Sequence, residues 1–201
     1  ISIDSYVEHE YSNRNPHIIT IKGKISEFWQ GEGTLRNNIT SLNVSKCPAL
    51  TVLDCAGNNL TSLDVSKNTA LTALYCKGNN LTSLDISKNT ALTELGCWSN
   101  NLTSLDVSKN TALTYLDCRN NKLTSLDVSK NTALTRLDCE DNKLTSSALN
   151  QIFRDLPQGK TWTEGHGRTE QSSIIIYDNP GSNTCDKSIA ENKGWEVNTI
   201  W

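Results

Sequence analysis

Methionine is absent from the 201 residues, and histidine occurs only three times. A chain that starts at Ile1 without methionine does not begin at a native translation start, so the expectation is that a signal or targeting segment was removed before position 1. Such a segment could carry a lipid anchor. The three histidines, His9, His17 and His166, all lie outside the repetitive middle of the chain. Neither a zinc centre nor a histidine-activated nucleophile then has convergent partners. No run of 18 apolar residues exists, so no membrane span is expected. With 19 Lys and Arg against 22 Asp and Glu, the net charge is −3, and no basic excess favours nucleic acid.

What fills the middle is one unit, L-T-S-L-D-V-S-K-N-T-A-L-T-x-L-x-C-x-x-N-x, 21 residues long. Its L-x-x-L-x-C-x-x-N half starts at Leu50, Leu71, Leu92, Leu113 and Leu134. Alternation in Leu53-Asp54-Cys55 puts leucine and cysteine on one face and the middle residue on the other. One turn cannot bury its own apolar face, so successive turns must stack around a shared core. Strands so stacked lie about 4.8 Å apart, which turns every periodic residue into a ladder. Cys55, Cys76, Cys97, Cys118 and Cys139 form one ladder, and Asn58, Asn79, Asn100, Asn121 and Asn142 another. The asparagines are expected to satisfy backbone groups where each turn bends. The cysteine side chains point in parallel into the core, which argues against disulfides between neighbours and for small buried hydrophobes. Cys47, which stands where later copies have asparagine, and Cys185 lie at opposite ends and are not expected to pair.

The other half of the unit, as in Leu63-Asp64-Val65-Ser66-Lys67-Asn68, also alternates and reads as a second extended segment. The identical Asp64, Asp85, Asp106 and Asp127, with Lys67, Lys88, Lys109 and Lys130 nearby, suit a structural or solubility role. The threonine rows suit a solenoid surface rather than ice binding. The fold class is therefore an α/β repeat, mostly β: a right-handed solenoid with a parallel sheet and helices mainly in the C-terminal turns.

Residues 1–38 lack the unit, and Ile18–Ile21 and Ile25–Trp29 read as strands of an N-terminal β cap. Residues 39–144 are the repeats. Residues 145–201 read as capping turns. Ser146 or Ser147 caps a helix over Leu149, Ile152, Phe153 and Leu156 that Pro157 ends. A polar loop runs from Gln158 to Ser172, and Ile174–Asn179 restates the strand. A second helix covers Thr184–Asn192, followed by a strand at Trp195–Val197. Gly159-Lys160-Thr161 is no phosphate loop, because the position five residues before Gly159 is Arg154, inside the predicted helix.

The stretch from Ile39 to Asn142 resembles the 21-residue, cysteine-containing leucine-rich repeats of internalin J-like bacterial surface proteins and of secreted Bacteroides-type proteins. Asp178-Asn179-Pro180-Gly181 and Cys185–Ala190 resemble the closing turns of the latter. The resemblance implies an exported, cell-surface or lipid-anchored binding protein without enzymatic activity.

Function is expected at the positions that differ among the copies, the third, fifth, seventh and eighth when each first leucine is counted as one. They project from the outward side of the sheet, the concave side in leucine-rich repeats. The expected contact residues are Tyr75, Lys77, Glu94, Trp98, Tyr115, Asp117, Arg119, Arg136 and Asp138, since aromatics with arginine are the composition of a binding hot spot. Asp117, Asp138, Glu140 and Asp141 read as a solvated acidic face, and no calcium loop is set up there. The expected partner is a protein, host proteins included, or a glycan, bound by a monomer without cofactor or metal. The competing expectation is a structural or self-associating spacer.

Overall fold

The computed structural model describes residues 17–22, 27–29, 38–163 and 169–199. His9 and His166, and most of the N-terminal cap, lie outside the described residues.

The repeat folds as a parallel β-solenoid. Its spine is an eight-stranded sheet in the order β12-β11-β8-β7-β6-β5-β4-β2. The five repeat strands are β4 (Val52–Asp54), β5 (Ala73–Tyr75), β6 (Glu94–Gly96), β7 (Tyr115–Asp117) and β8 (Arg136–Asp138). Each pairs in parallel with the next at a shift of one repeat, so Leu53, Leu74, Leu95, Leu116 and Leu137 stand in one row. β2 (Glu27–Trp29) extends this sheet at one end. β11 (Ser173–Ile175) and β12 (Glu196–Asn198) extend it at the other. A second, two-stranded sheet pairs β1 (His17–Lys22) with β3 (Ile39–Lys46). The strands expected at Ile18–Ile21 and around Phe28 are thus present, and each is joined to the solenoid.

The leucine row and the five ladder cysteines are fully buried. All seven cysteines are unpaired. The asparagine ladder does what backbone satisfaction requires. Asn79 Nδ2 donates to the Cys76 and Cys55 carbonyls at 3.0 Å each, while its Oδ1 accepts from Leu60 N–H at 3.0 Å. A second asparagine row, Asn68, Asn89, Asn110 and Asn131, ties the other edge. Asn89 Nδ2 donates to the Val65 and Asn68 carbonyls at 3.0 and 2.8 Å. Cys47 heads that row, and its thiol meets the Ile21 carbonyl of β1 at 3.5 Å.

The second half of each unit is extended but not a continuous sheet. Leu63 and Val65 are buried and Asp64 between them is exposed, yet among the described residues these segments are joined across turns by a single bridge, Asn43 to Asp64. Two tight turns, Asn68 N–H to Val65 O at 3.0 Å and Leu71 N–H to Asn68 O at 3.1 Å, then return the chain to the main sheet.

The C-terminal turns differ from expectation in three places. Helix α1 (Ser146–Asp155) is capped by Thr145, one residue earlier than read, whose hydroxyl accepts from Ala148 N–H at 3.3 Å. Within the stretch read as loop, β9 (Thr161–Thr163) and β10 (Thr169–Gln171) form an antiparallel pair. The second helix shrinks to α2 (Ser188–Glu191). Before it, the chain passes close to α1: a Cβ at Gly181 would lie 2.1 Å from Ser146 N. The chain therefore runs backbone against backbone past the start of α1, in turns rather than helix. Asp186 then sets the start of α2 by accepting from Ser188 N–H at 3.2 Å.

Candidate functional site

The outward strip is built on the first and last residues of these strands and on the residue two further along, and it is already paired with itself. Trp98 lies between cations from the turns before and after it. Lys77 Nζ is 5.5 Å from the ring centroid, and the Arg119 guanidinium carbon 4.8 Å. The Arg136 guanidinium covers Tyr115 at 5.3 Å. Such contacts are worth about 0.5–1 kcal/mol each at exposed sites. Tyr75 donates its hydroxyl to Glu94 on the next turn. Gly96 leaves room for that orientation: a Cβ there would stand 3.1 Å from the Tyr75 ring, which would have to give by a few tenths of an ångström.

The structure brings all nine expected contact residues onto one surface, but not all reach solvent. Tyr75, Lys77, Glu94, Trp98, Tyr115 and Arg119 are half-buried, and Arg136 is exposed. Asp117 and Asp138 are buried, at 2 and 0 % exposure. The solvated acidic face is therefore corrected: of its four members only Asp141 is exposed. Glu140 is 2 % exposed and folds over toward Arg119 and Tyr177. Buried charge must be paired, and it is. Arg136 holds Asp138 through contacts of 3.0 to 3.2 Å. Arg119 bridges Asp117 at 3.4 Å and Glu140 at 3.3 Å. The Tyr115 hydroxyl reaches Asp117 at 3.2 Å and Asp138 at 3.3 Å. One oxygen of Glu140, Oε2, is buried without a hydrogen-bond partner.

Burial raises the Asp117 carboxyl to about 6, against the pull of Arg119 and with a further push from Asp138. Burial likewise raises Glu140. Tyr75 and Tyr115 are raised too, both first by burial; the hydrogen bond to Glu94 adds to the first and the Asp117 charge to the second. The ladder thiols are also raised by burial, Cys76 to about 12, so they are not poised as nucleophiles. Among the described residues, no group of three or more His, Cys, Asp or Glu side chains is arranged to hold a metal ion.

The eighth variable position is also corrected. Gly57, Gly78, Ser99, Asn120, Asp141 and Asp178 all have left-handed backbone, with φ between 49 and 66°. Its residues are those that tolerate this conformation, so the bend of each turn selects them. The Gly, Gly, Ser, Asn, Asp series was the signal in the sequence. Sequence reasoning also left Glu140 and Tyr177 outside the site and did not foresee the hairpin. Its Trp162 lines, with Glu94, Tyr115, Arg136, Glu170 and Gln171, a cavity of about 550 Å³ beside the strip.

A family model described as a leucine-rich repeat matches residues 119–135. No curated protein matches the chain in sequence. Among solved structures, the functional domain of internalin J from Listeria monocytogenes, described as including a cysteine ladder, superposes with a TM-score of 0.59 at 28 % identity. The match covers 87 % of this chain and 44 % of that one, so this chain spans less than half of that domain's length. Internalin C2 from Listeria monocytogenes matches with a TM-score of 0.62 at 20 % identity, over 81 % of this chain and 72 % of that one. At that identity the likeness speaks for the fold alone. Among the described residues no helix is long and apolar enough to cross a membrane. With the 21-residue spacing, the cysteine ladder and the parallel spine in place, the chain folds as a leucine-rich-repeat solenoid similar to those of the internalins, a fold that supports a protein-interaction module.

Proposed function

We propose that this chain is a non-enzymatic, extracellular or cell-surface recognition module. It binds a protein, or a glycan, on its concave sheet face through Tyr75, Lys77, Glu94, Trp98, Tyr115 and Arg119, with Arg136 at the rim. Asp117 and Asp138 act beneath them as positioning groups. The observation that carries the reading is the packing of Trp98 between Lys77 and Arg119 on a half-buried surface. Side chains fixed in place before a ligand arrives lose little conformational entropy on binding. Aromatic and arginine anchors of this kind dominate interface energetics.

The test is the double variant Trp98→Ala with Tyr115→Ala, screened against surface-protein and glycan panels and sized by sedimentation. Loss of a ligand that the parent chain binds, with unchanged mass and unfolding midpoint, is the expected result. Unchanged binding in a folded double variant overturns the concave-strip reading. A parent chain that self-associates, with association lost in the variant, favours instead the spacer whose strip contacts another copy.

A further inference from the structure

We infer that Asp117, Tyr115 and Asp138 form a proton-binding site beneath the strip, and that a proton bound there at mildly acidic pH loosens Arg119 from its place over Trp98. The inference rests for its use on the reading of this strip as the binding surface, and it gives that surface a regulator. Its test needs no ligand, so it stands or fails separately from that reading.

The geometry leaves this network one proton short. Asp117 Oδ2 and Asp138 Oδ2 lie 3.2 and 3.3 Å from the same hydroxyl, that of Tyr115. A phenol has one proton to give, so with both carboxylates ionised one of the two oxygens faces the hydroxyl without a donor. A single added proton completes the chain: Asp117 Oδ2–H donates to the Tyr115 oxygen, and the Tyr115 O–H donates to Asp138. Asp138 is the member that stays ionised, because Arg136 holds both of its oxygens at 3.0 to 3.2 Å. Asp117 has a weaker claim on its cation. Arg119 Nε stands 3.4 Å from Asp117 Oδ2, while Arg119 Nη1 donates to Glu140 Oε1 at 3.3 Å. Glu140, whose Oε2 is buried without a partner, depends on that bond and on the Tyr177 hydroxyl at 3.4 Å.

The groups around Asp117 favour the proton. On the preceding turn Gly96 opposes it in register and brings no charge, Glu94 is bonded by Tyr75, and Lys77 is engaged over Trp98. The following turn brings Arg136, Asp138 and Glu140, and past Glu140 stand Tyr177 and Asp178. The Cys118 and Cys139 thiols beneath are kept neutral by burial. Three buried carboxylates, Asp117, Asp138 and Glu140, thus share the guanidiniums of Arg119 and Arg136. Burial above all lifts the Asp117 carboxyl to about 6, against the pull of Arg119 and with a push from Asp138. Above that value two carboxylates hold Arg119 in its position 4.8 Å from the Trp98 centroid. Below it, Glu140 holds Arg119 alone, and the strip loses part of what fixes Trp98.

The experiment titrates the parent chain from about pH 4 to about pH 8, following the Asp117 carboxyl carbon and the Trp98 indole N–H by NMR. The indole signal is assigned by its loss in Trp98→Phe. Both signals are expected to move in one step with a midpoint of about 6, and the Tyr115 ring signals move with them. Asp117→Asn removes the step at Trp98. Asp138→Asn, which takes away the like charge, moves it to lower pH. Asp106→Asn, on the exposed row, leaves it in place. Histidines titrate in the same range, so the measurement is repeated with His9, His17 and His166 all replaced by glutamine, and the step persists. An Asp117 carboxyl that titrates in the ordinary range, at about 4, overturns the proposal on the parent chain alone. So does a Trp98 signal that stays still while Asp117 titrates, and so does a step that survives Asp117→Asn or vanishes with the histidines. In those cases the concave-strip reading still stands or falls on its own double variant.

Discussion

Two sets of aspartates, about half a turn apart along the chain, have opposite fates. Asp64, Asp85, Asp106 and Asp127 are exposed, and each accepts a hydrogen bond from the backbone N–H two residues on, at 2.8 to 2.9 Å. The serine's N–H, joined by its side chain, holds the carboxyls of Asp64, Asp85 and Asp106 below the usual range; at Asp127 the side chain of Ser129 comes first and its N–H second. Asp117 and Asp138 are buried under arginine and tyrosine, and burial lifts Asp117 well above it. The first set is repeated because every turn needs the same local bond. The second occurs where an arginine two residues away and Tyr115, on the same turn as Asp117 and the turn before Asp138, cover the carboxylate. Repetition in this molecule marks local backbone work, and its interruption marks contacts made across turns.

The ladders from which both sets hang set the scale, and they should give the largest effect. In Asn100→Ala, Leu81 N–H loses its buried partner at 2.9 Å, while the Cys76 and Cys97 carbonyls lose one amide donor each and keep another, Asn79 Nδ2 at 3.0 Å and Asn121 Nδ2 at 3.2 Å. At about 1–3 kcal/mol for the unsatisfied buried N–H and about 0.5–1.5 kcal/mol for each bond lost at the carbonyls, a loss of about 2–4 kcal/mol is expected in urea unfolding, after partial relaxation. A loss below about 1 kcal/mol would mean that water or neighbouring groups replace the amide. Next comes Cys97→Ser, which puts a hydroxyl in a fully buried site and should cost about 1–3 kcal/mol. Rapid labelling of native Cys97 by a thiol reagent would contradict that burial.

The strip responds less, and in a pH-dependent way. Arg119→Ala takes the cation from Asp117 and Glu140. Its side chain is one-third exposed, at 33 %, so solvent screening limits the loss to about 1–2 kcal/mol at pH 8. Asp117 has a folded value near 6, above its ordinary one near 4. The folded state therefore binds its proton more tightly, and the stability it contributes falls as pH rises from about 4 through about 6. Glu140 is shifted in the same direction. The Arg119→Ala deficit should thus shrink between pH 8 and pH 5, and Asp117→Asn should flatten that part of the profile. A deficit independent of pH would place the effect in lost packing over Trp98 rather than in charge.

How much of this was legible depends on the range of the contact. Leu, Cys and ladder Asn were readable because alternation and a 21-residue period fix which residues face inward, whatever lies outside. Thr145 as the cap of α1 was missed by one residue, since Thr145, Ser146 and Ser147 all suit the role. Burial of Asp117, Asp138 and Glu140 was not legible. It depends on pairs 21 and 23 residues apart, Arg119 with Glu140 and Tyr115 with Asp138, whose side chains must lean along the solenoid. Nothing in local pattern says which way a tyrosine leans; Gly96 is the one hint, by leaving room for Tyr75. The hairpin was hidden for another reason. Its strands pair with each other, and Thr161, Trp162 and Gln171 stay exposed with Glu170 half-buried, so these residues form no inward apolar row to read.

The smallest effect belongs to the exposed aspartates, and it isolates their charge from their bond. Asp106→Asn keeps an oxygen that can accept from Ser108 N–H, at 2.8 Å in the parent, but removes the negative charge. The folded carboxyl is held below its ordinary value by that bond. The contribution of the charge is therefore present above about pH 4 and is lost as pH falls through the lowered folded value. Asp106→Asn should leave the unfolding midpoint nearly unchanged near pH 3 and lower it slightly at pH 7. That direction is opposite to Asp117→Asn, which helps more as pH rises through about 6. If Asp106→Asn instead stabilises at neutral pH, repulsion along the row from Asp85 and Asp127 outweighs the serine bond, and the row is kept for solubility rather than for its turns.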